Sequence, residues 1–203
     1  MDPIDLSNYA GLAAIALLTL NILLGMVLAI KYNPVRDWPH RRVNTVKIHN
    51  LIGYAALAVS LVHPALLLLP SRVPFSLLDV LVPVDAPKQP LVNTLGAAAL
   101  YLLAFVVVTS YFRREIGRRW WKRMHLATYA LFPFYALHSI LTDPTLRDHP
   151  IDPIDGEKVF VELCVVLVVI AVGARVRWQM RQPPPRKHRA KPARQRRGAS
   201  AAA

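Results

Sequence analysis

The sequence predicts an all-α integral membrane protein: a bundle of five transmembrane helices, amino terminus outside and carboxyl terminus in the cytoplasm. Three observations carry that expectation. Apolar residues make up 54 % of the 203-residue chain and gather in five blocks of about the length a bilayer requires. The charges between the blocks alternate in sign from loop to loop. Two of the blocks each contain two histidines, at nearly matching intervals.

The blocks are 9–30, 46–69, 92–112, 120–141 and 159–174, the last being the shortest. No basic residue precedes the first and no small-residue cleavage site follows it, so it reads as a retained helix rather than a signal peptide. Of the 25 basic residues, 21 fall in the segments 31–47, 113–123 and the tail from Arg175 onward, while acidic residues dominate the other loops. The positive-inside rule makes the basic side cytoplasmic, which requires an odd number of spans. Trp38, Trp120, Trp121 and Trp178 fall at the same boundaries, where indoles anchor at headgroup level. An apolar stretch at 74–82 suits the outer interface. The resulting division is an outer segment 1–8, a membrane domain 9–177 and a basic cytoplasmic tail 178–203 suited to anionic lipid.

The net charge of +13 would suggest nucleic acid in a soluble domain, but confinement of the charge to one side of a membrane points to lipid instead. A multi-pass place in the cell membrane, the bacterial inner membrane, follows. The single cysteine, Cys164, can build neither an internal disulfide nor a thiolate metal site. Metal chemistry therefore falls to histidine.

His49 and His63 stand fourteen positions apart in the second block, and His125 and His138 thirteen apart in the fourth. At 1.5 Å per residue each pair spans roughly 20 Å, one imidazole near each face of the hydrocarbon. Both blocks run from cytoplasm outwards, so His49 meets His125 at the inner level and His63 meets His138 at the outer. The separation excludes a single four-histidine metal site. Two-histidine sites leave zinc or copper under-coordinated, whereas haem brings four nitrogens of its own. The bland reading, in which each histidine merely bonds a neighbouring helix, suits one histidine better than four at matched depths. Fourteen helical steps return within about 40° of the starting face, but thirteen fall about 140° short. Pro133 lies between His125 and His138 and offers a kink or local rewinding.

The segments HNLIGYAALAVSLVHP (49–64) and VVVTSYFRREIGRRWWKRMHLATYALFPFYALHS (106–139), with the loop FSLLDVLVPV between them, resemble the ferric-reductase-like transmembrane domain. This is the haem-binding membrane core of NADPH oxidases, ferric reductases and bacterial methionine-sulfoxide-reductase haem subunits. The resemblance covers about residues 10–175. It implies two haem b groups, with His49 and His125 as axial ligands of the inner one and His63 and His138 of the outer one. It also implies electron flow from the cytoplasm outwards. The unequal histidine spacing is a mark of the oxidase and ferric-reductase branch. The usual six helices are expected to be reduced to five.

The oxidases and ferric reductases continue into a flavin and nicotinamide domain. Here only a short basic tail follows, with no GxGxxG, so the expectation is an electron-transfer subunit without its own NAD(P)H site. Its donor is then a flavoprotein, a bound flavin or a quinone. Its acceptor is ferric iron, oxygen or an outer reductase. Two further classes stay open: a haem-free transporter or channel with a histidine-lined path, and a haem sensor or structural haem module.

Arg123 is the inner candidate for a haem propionate, and Arg72 and Arg147 are the outer ones. Glu162, the only acid inside an apolar block, reads as snorkelling to the outer interface or serving proton delivery. His40, His149 and His188 read as solvated, and Cys164 as a small core residue. Tyr129, Phe132, Phe134 and Tyr135 read as packing groups. Gly53 reads as a point of close porphyrin approach, and Gly25, Gly96 and Gly173 as helix-packing positions.

Overall fold

An acidic cap and a proline at the first helical position start the first span. In the computed structural model, which describes residues 2–30, 44–146 and 154–181, α1 (Pro3–Ala29) opens with the Asp2 carboxylate accepting the Ile4 amide at 3.1 Å. The helix begins well before the expected boundary at residue 9, so most of the anticipated outer segment 1–8 is helical. Hydropathy alone hid this, because Asp5, Ser7 and Asn8 dilute the apolar signal. Asn44 caps α2 (Thr45–Leu66) by accepting the Lys47 amide at 3.0 Å. A capping box between Ser76 and Asp79 starts the short α3 (Leu77–Leu81), whose leucines at 77, 78 and 81 are exposed, as the interfacial reading of 74–82 requires. A 3-10 turn (Pro83–Asp85) leads to α4 (Pro90–Tyr111), and the Tyr101 hydroxyl ties α4 back to the Leu81 carbonyl.

The expected continuous span 120–141 is broken. After α5 (Arg113–Ile116), Gly117 turns the chain at φ 83°, a conformation that favours glycine. Then come α6 (Arg118–His125) and α7 (Thr128–Leu141), separated at Leu126–Ala127. Four amide bonds across the break reach back only three residues, from Leu126 to Arg123, Ala127 to Met124, Tyr129 to Leu126 and Ala130 to Ala127. This 3-10 winding occupies the turn just before Pro133, where the ring presses on the carbonyl four residues back. The rewinding anticipated around Pro133 is therefore present, displaced upstream. The last helix, α8 (Gly156–Met180), is longer at both ends than the apolar block 159–174.

Among the described residues four helices, α1, α2, α4 and α8, are long and apolar enough to cross a membrane. All described regular structure is helical. α1 packs antiparallel on α2 and α4 antiparallel on α7, while α8 lies against α1 and α7. α2 and α7 thus run in the same direction. Leu18, Ala56, Ala99, Leu103 and Leu131 form a buried apolar layer at mid-height of the bundle. Leucines, valines and isoleucines such as Leu61, Val108 and Ile170 cover its outside, the face that lipid would cover.

Candidate functional site

The fold brings the four histidines of α2, α6 and α7 together two by two. The His49 and His125 ring centres are 6.5 Å apart, and those of His63 and His138 are 6.2 Å apart, above and below the apolar layer. First-row metal–imidazole bonds are about 2.0–2.1 Å and a ring nitrogen lies roughly 1.1 Å from the ring centre, so one metal held from both sides separates two centres by roughly 6.3 Å. Both pairs match that spacing.

The 3-10 stretch explains how thirteen residues serve where α2 uses fourteen. Winding at 120° per residue instead of 100° over roughly five residues adds about 100° to the azimuth of His138 relative to His125. The shortfall of about 140° becomes about 40°, the same residual as for His49 and His63. The greater 3-10 rise also adds roughly 2.5 Å, which brings the axial separation to within about 1 Å of that on α2.

Each ring is fixed from behind. Nδ1 of His63 lies 2.7 Å from the Ser7 carbonyl, Nδ1 of His49 lies 3.1 Å from the Asn21 carbonyl, and Nδ1 of His138 lies 2.8 Å from the Val92 carbonyl. A carbonyl only accepts, so Nδ1 carries the proton in all three and Nε2 keeps its lone pair. The Ser7 hydroxyl also stands 3.1 Å from Nδ1 of His63 while donating to the His63 carbonyl at 2.8 Å. His125 differs: its Nδ1 lies 3.3 Å from the Ser110 hydroxyl, which also accepts the Trp121 indole N–H at 3.2 Å.

Three glycines make room for these contacts. Four residues after each accepting carbonyl stands a glycine: Gly11 after Ser7, Gly25 after Asn21 and Gly96 after Val92. A Cβ would come within 3.2 Å of His63 at Gly11, 3.2 Å of His49 at Gly25 and 2.7 Å of His138 at Gly96. Gly25 and Gly96 are thus ring seats, not simply the helix-packing positions expected; Gly11 escaped attention. Gly53 faces the Asn21 side-chain amide, 3.3 Å from an added Cβ, rather than an open cofactor surface, and Gly173 faces nothing within 4 Å.

A cavity opens at the His63–His138 level, lined among others by Gly11, Ser60, Gly96, Tyr135 and Lys158. The Ser60 hydroxyl is buried without a partner among the described residues, and the Tyr135 hydroxyl donates to the Gly11 carbonyl at 3.2 Å. Lys158 is a residue that the sequence, with its acidic neighbours Asp155 and Glu157, does not single out. It is buried and donates to the carbonyls of Ser139 at 3.0 Å, Ile140 at 3.1 Å and Thr142, capping the helix that carries His138.

The arginines fall elsewhere. Arg72 pairs with Asp2 at 2.8 Å, with its own side chain 65 % exposed. Arg123 lies over the Trp120 ring at 5.0 Å. Arg147, His40, His149, His188, Trp38 and the segment 182–203 lie outside the described residues. Glu162 is exposed, and Cys164 is buried beside Ile15 and Val161. Among the described residues no three His, Cys, Asp or Glu side chains converge. The donor sets therefore suit a metal that arrives with equatorial ligands of its own, and the haem expectation fits the residues present.

A family model described as ferric reductase like transmembrane component matches residues 10–136, well over half of the chain. The chain belongs to this family. The match includes His49, His63 and His125 and ends two residues before His138, whose partnership with His63 rests on the ring geometry. With four apolar helices and a transmembrane family, the protein is a multi-pass membrane protein. No curated protein and no solved structure matches it.

Proposed function

We propose that this family member is a two-haem b-type cytochrome that carries electrons across the cell membrane, as the haem-binding part of a reductase that is fed by a flavin or quinone donor. The observation that carries the reading is the pair of facing imidazole sets, each at the spacing of two ligands on one metal, three of the four rings with Nδ1–H committed to a carbonyl. His49 and His125 are assigned to an inner haem, His63 and His138 to an outer one. The amino terminus is placed outside and the carboxyl terminus in the cytoplasm, with α6 and α7 together making the fourth of five crossings.

Haem, when bound, supplies one-electron iron chemistry. The chain orients the ligands through the seats on α1 and α4. It also separates the two levels with the apolar side chains of Leu18, Ala56, Ala99, Leu103 and Leu131. Such a layer insulates against ions and protons yet leaves the levels within roughly 20 Å of each other along the helices. It thereby favours electron transfer over the alternative of a histidine-lined transport path. The basic residues of 113–123 and the aromatic anchors face the donor side; ferric iron, oxygen or a reductase protein takes the electron on the other.

Pyridine-haemochrome analysis of the purified chain tests the assignment, with two haems expected. The same-level double variant His63→Ala/His138→Ala should keep one haem, whereas the cross-level variant His49→Ala/His63→Ala should keep none. Haem-free protein from cells with ample haem, or two haems retained by the same-level variant, would overturn it.

A further inference from the structure

The four ring seats follow one register with a single exception. On α1 the seats Gly11 and Gly25 are fourteen residues apart, the interval of His63 and His49 on the antiparallel α2. On α4 the seat of His138 is Gly96, and the position fourteen residues on is Ser110, which faces His125. A glycine there would leave the Val106 carbonyl, four residues back, to meet the ring, as the carbonyls of Ser7, Asn21 and Val92 meet theirs. Instead a side chain occupies the seat and its hydroxyl stands in for the carbonyl.

The two acceptors differ chemically. A carbonyl forces the proton onto Nδ1. A hydroxyl either accepts from Nδ1–H or donates to a bare Nδ1, and in the second case the proton sits on Nε2, where it blocks a metal. The Trp121 indole, a donor only, takes one lone pair of Ser110 Oγ at 3.2 Å, leaving one lone pair and one O–H to serve the ring. The indole centre also lies 5.3 Å from that of His125. We propose that Ser110 and Trp121 are positioning residues that leave His125 free to carry its proton on either ring nitrogen, and that they make the His49–His125 level the more readily emptied of the two metal sites. The proposal rests on the haem reading for its metal, but its tautomer half does not. Ligand basicity rises with the strength of the Nδ1–H bond, so the hydroxyl seat also favours the reduced metal more than a carbonyl seat would.

Two measurements on the full chain test this. In the haem-free protein, nitrogen-15 shifts should show His125 as a mixture of Nδ1–H and Nε2–H forms while His49, His63 and His138 show Nδ1–H alone. A single Nδ1–H form at His125 overturns the proposal whatever the haem content. In the loaded protein, transfer to apomyoglobin and redox titration are followed for Ser110→Ala, Ser110→Thr, Ser110→Gly and Trp121→Phe. Ser110→Ala should release one of the two haems roughly 10–100-fold faster, and Ser110→Thr should restore retention. Trp121→Phe should fall between them. Ser110→Gly should move one potential to a more negative value and leave the other in place. A wild-type potential in Ser110→Gly, or wild-type release or loss of both haems in Ser110→Ala, would overturn the proposal. A wild-type chain without haem would instead strike at the haem reading.

Discussion

Gly96→Ala strikes the tightest of the glycine seats. The new Cβ would lie 2.7 Å from Cε1, 2.8 Å from Nδ1 and 3.0 Å from Nε2 of His138, all on the ring face against α4. Ordinary contact begins near 3.4 Å, so the ring must retreat by about 0.7 Å or the helices must part. A retreat of that size stretches the 2.8 Å bond between Nδ1 and the Val92 carbonyl towards the limit of a hydrogen bond. Losing that bond costs about 1 kcal/mol and overpacking about 1–3 kcal/mol, so the ligand geometry is penalised by roughly 2–4 kcal/mol. Helix propensity returns at most about 1 kcal/mol to the folded chain, without helping the ring. Taken as ligand affinity, the penalty corresponds to roughly 30- to 700-fold weaker retention of the metal group at the His63–His138 level. Haem transfer to apomyoglobin, resolved into two phases, measures it. Gly173→Ala, with nothing within 4 Å of its Cβ, is the control. Gly11→Ala and Gly25→Ala, each at 3.2 Å, should show smaller losses at the outer and inner level respectively. Release kinetics for Gly96→Ala that match Gly173→Ala would refute the seat argument.

Three other perturbations separate structure from site. Lys158→Met strands the carbonyls of Ser139, Ile140 and Thr142, and at about 1–3 kcal/mol per unsatisfied buried group it should lower the melting temperature markedly, with Lys158→Arg milder. Arg72→Ala should change stability by less than about 1 kcal/mol and leave haem content intact, because its partner is Asp2 and the Arg72 side chain is itself largely solvent-exposed. Selective loss of the outer haem there would restore Arg72 as a propionate contact. Bonds from the Ser76 hydroxyl and amide hold the exposed Asp79 carboxyl below its usual range. A depressed folded value means that the cap of α3 is intact above the unfolded carboxylate value and is lost as pH falls through the folded one. Hydrogen exchange at the Val80 amide, which bonds the Ser76 carbonyl, should accelerate on acidification and be nearly pH-independent, after correction for intrinsic rates, in Asp79→Asn.

What was legible in the sequence followed from spacing and hydropathy. The all-α membrane character and the level-by-level meeting of His49 with His125 and of His63 with His138 came from apolar block length, loop charge and helical rise, and the family from the resemblance of segments 49–64 and 106–139. The early start of α1 was missed because the decisive signal there is a cap, Asp2 followed by Pro3, not a hydropathy step. Lys158 is not singled out by its sequence, where its neighbours are acidic, whereas in the fold its side chain turns back to the end of α7. These are tertiary facts, and no local pattern announces which way a long side chain will reach.

The glycine seats and the helix break were written in the sequence in a form that needs a partner helix to be read. Gly11 and Gly25 repeat the fourteen-residue interval of the histidines, but the interval means nothing until α1 is known to run antiparallel against α2. Likewise, a thirteen-residue interval looks like a defect on an ideal helix. Roughly five residues of 3-10-like winding supply about the rotation and rise of the missing residue, and Pro133, one turn downstream, disfavours regular α winding there. The shorter spacing and the proline are therefore one feature. Moving the proline or inserting a residue between His125 and Pro133 would each break the register alone, since either leaves the rings of α6 and α7 on different faces.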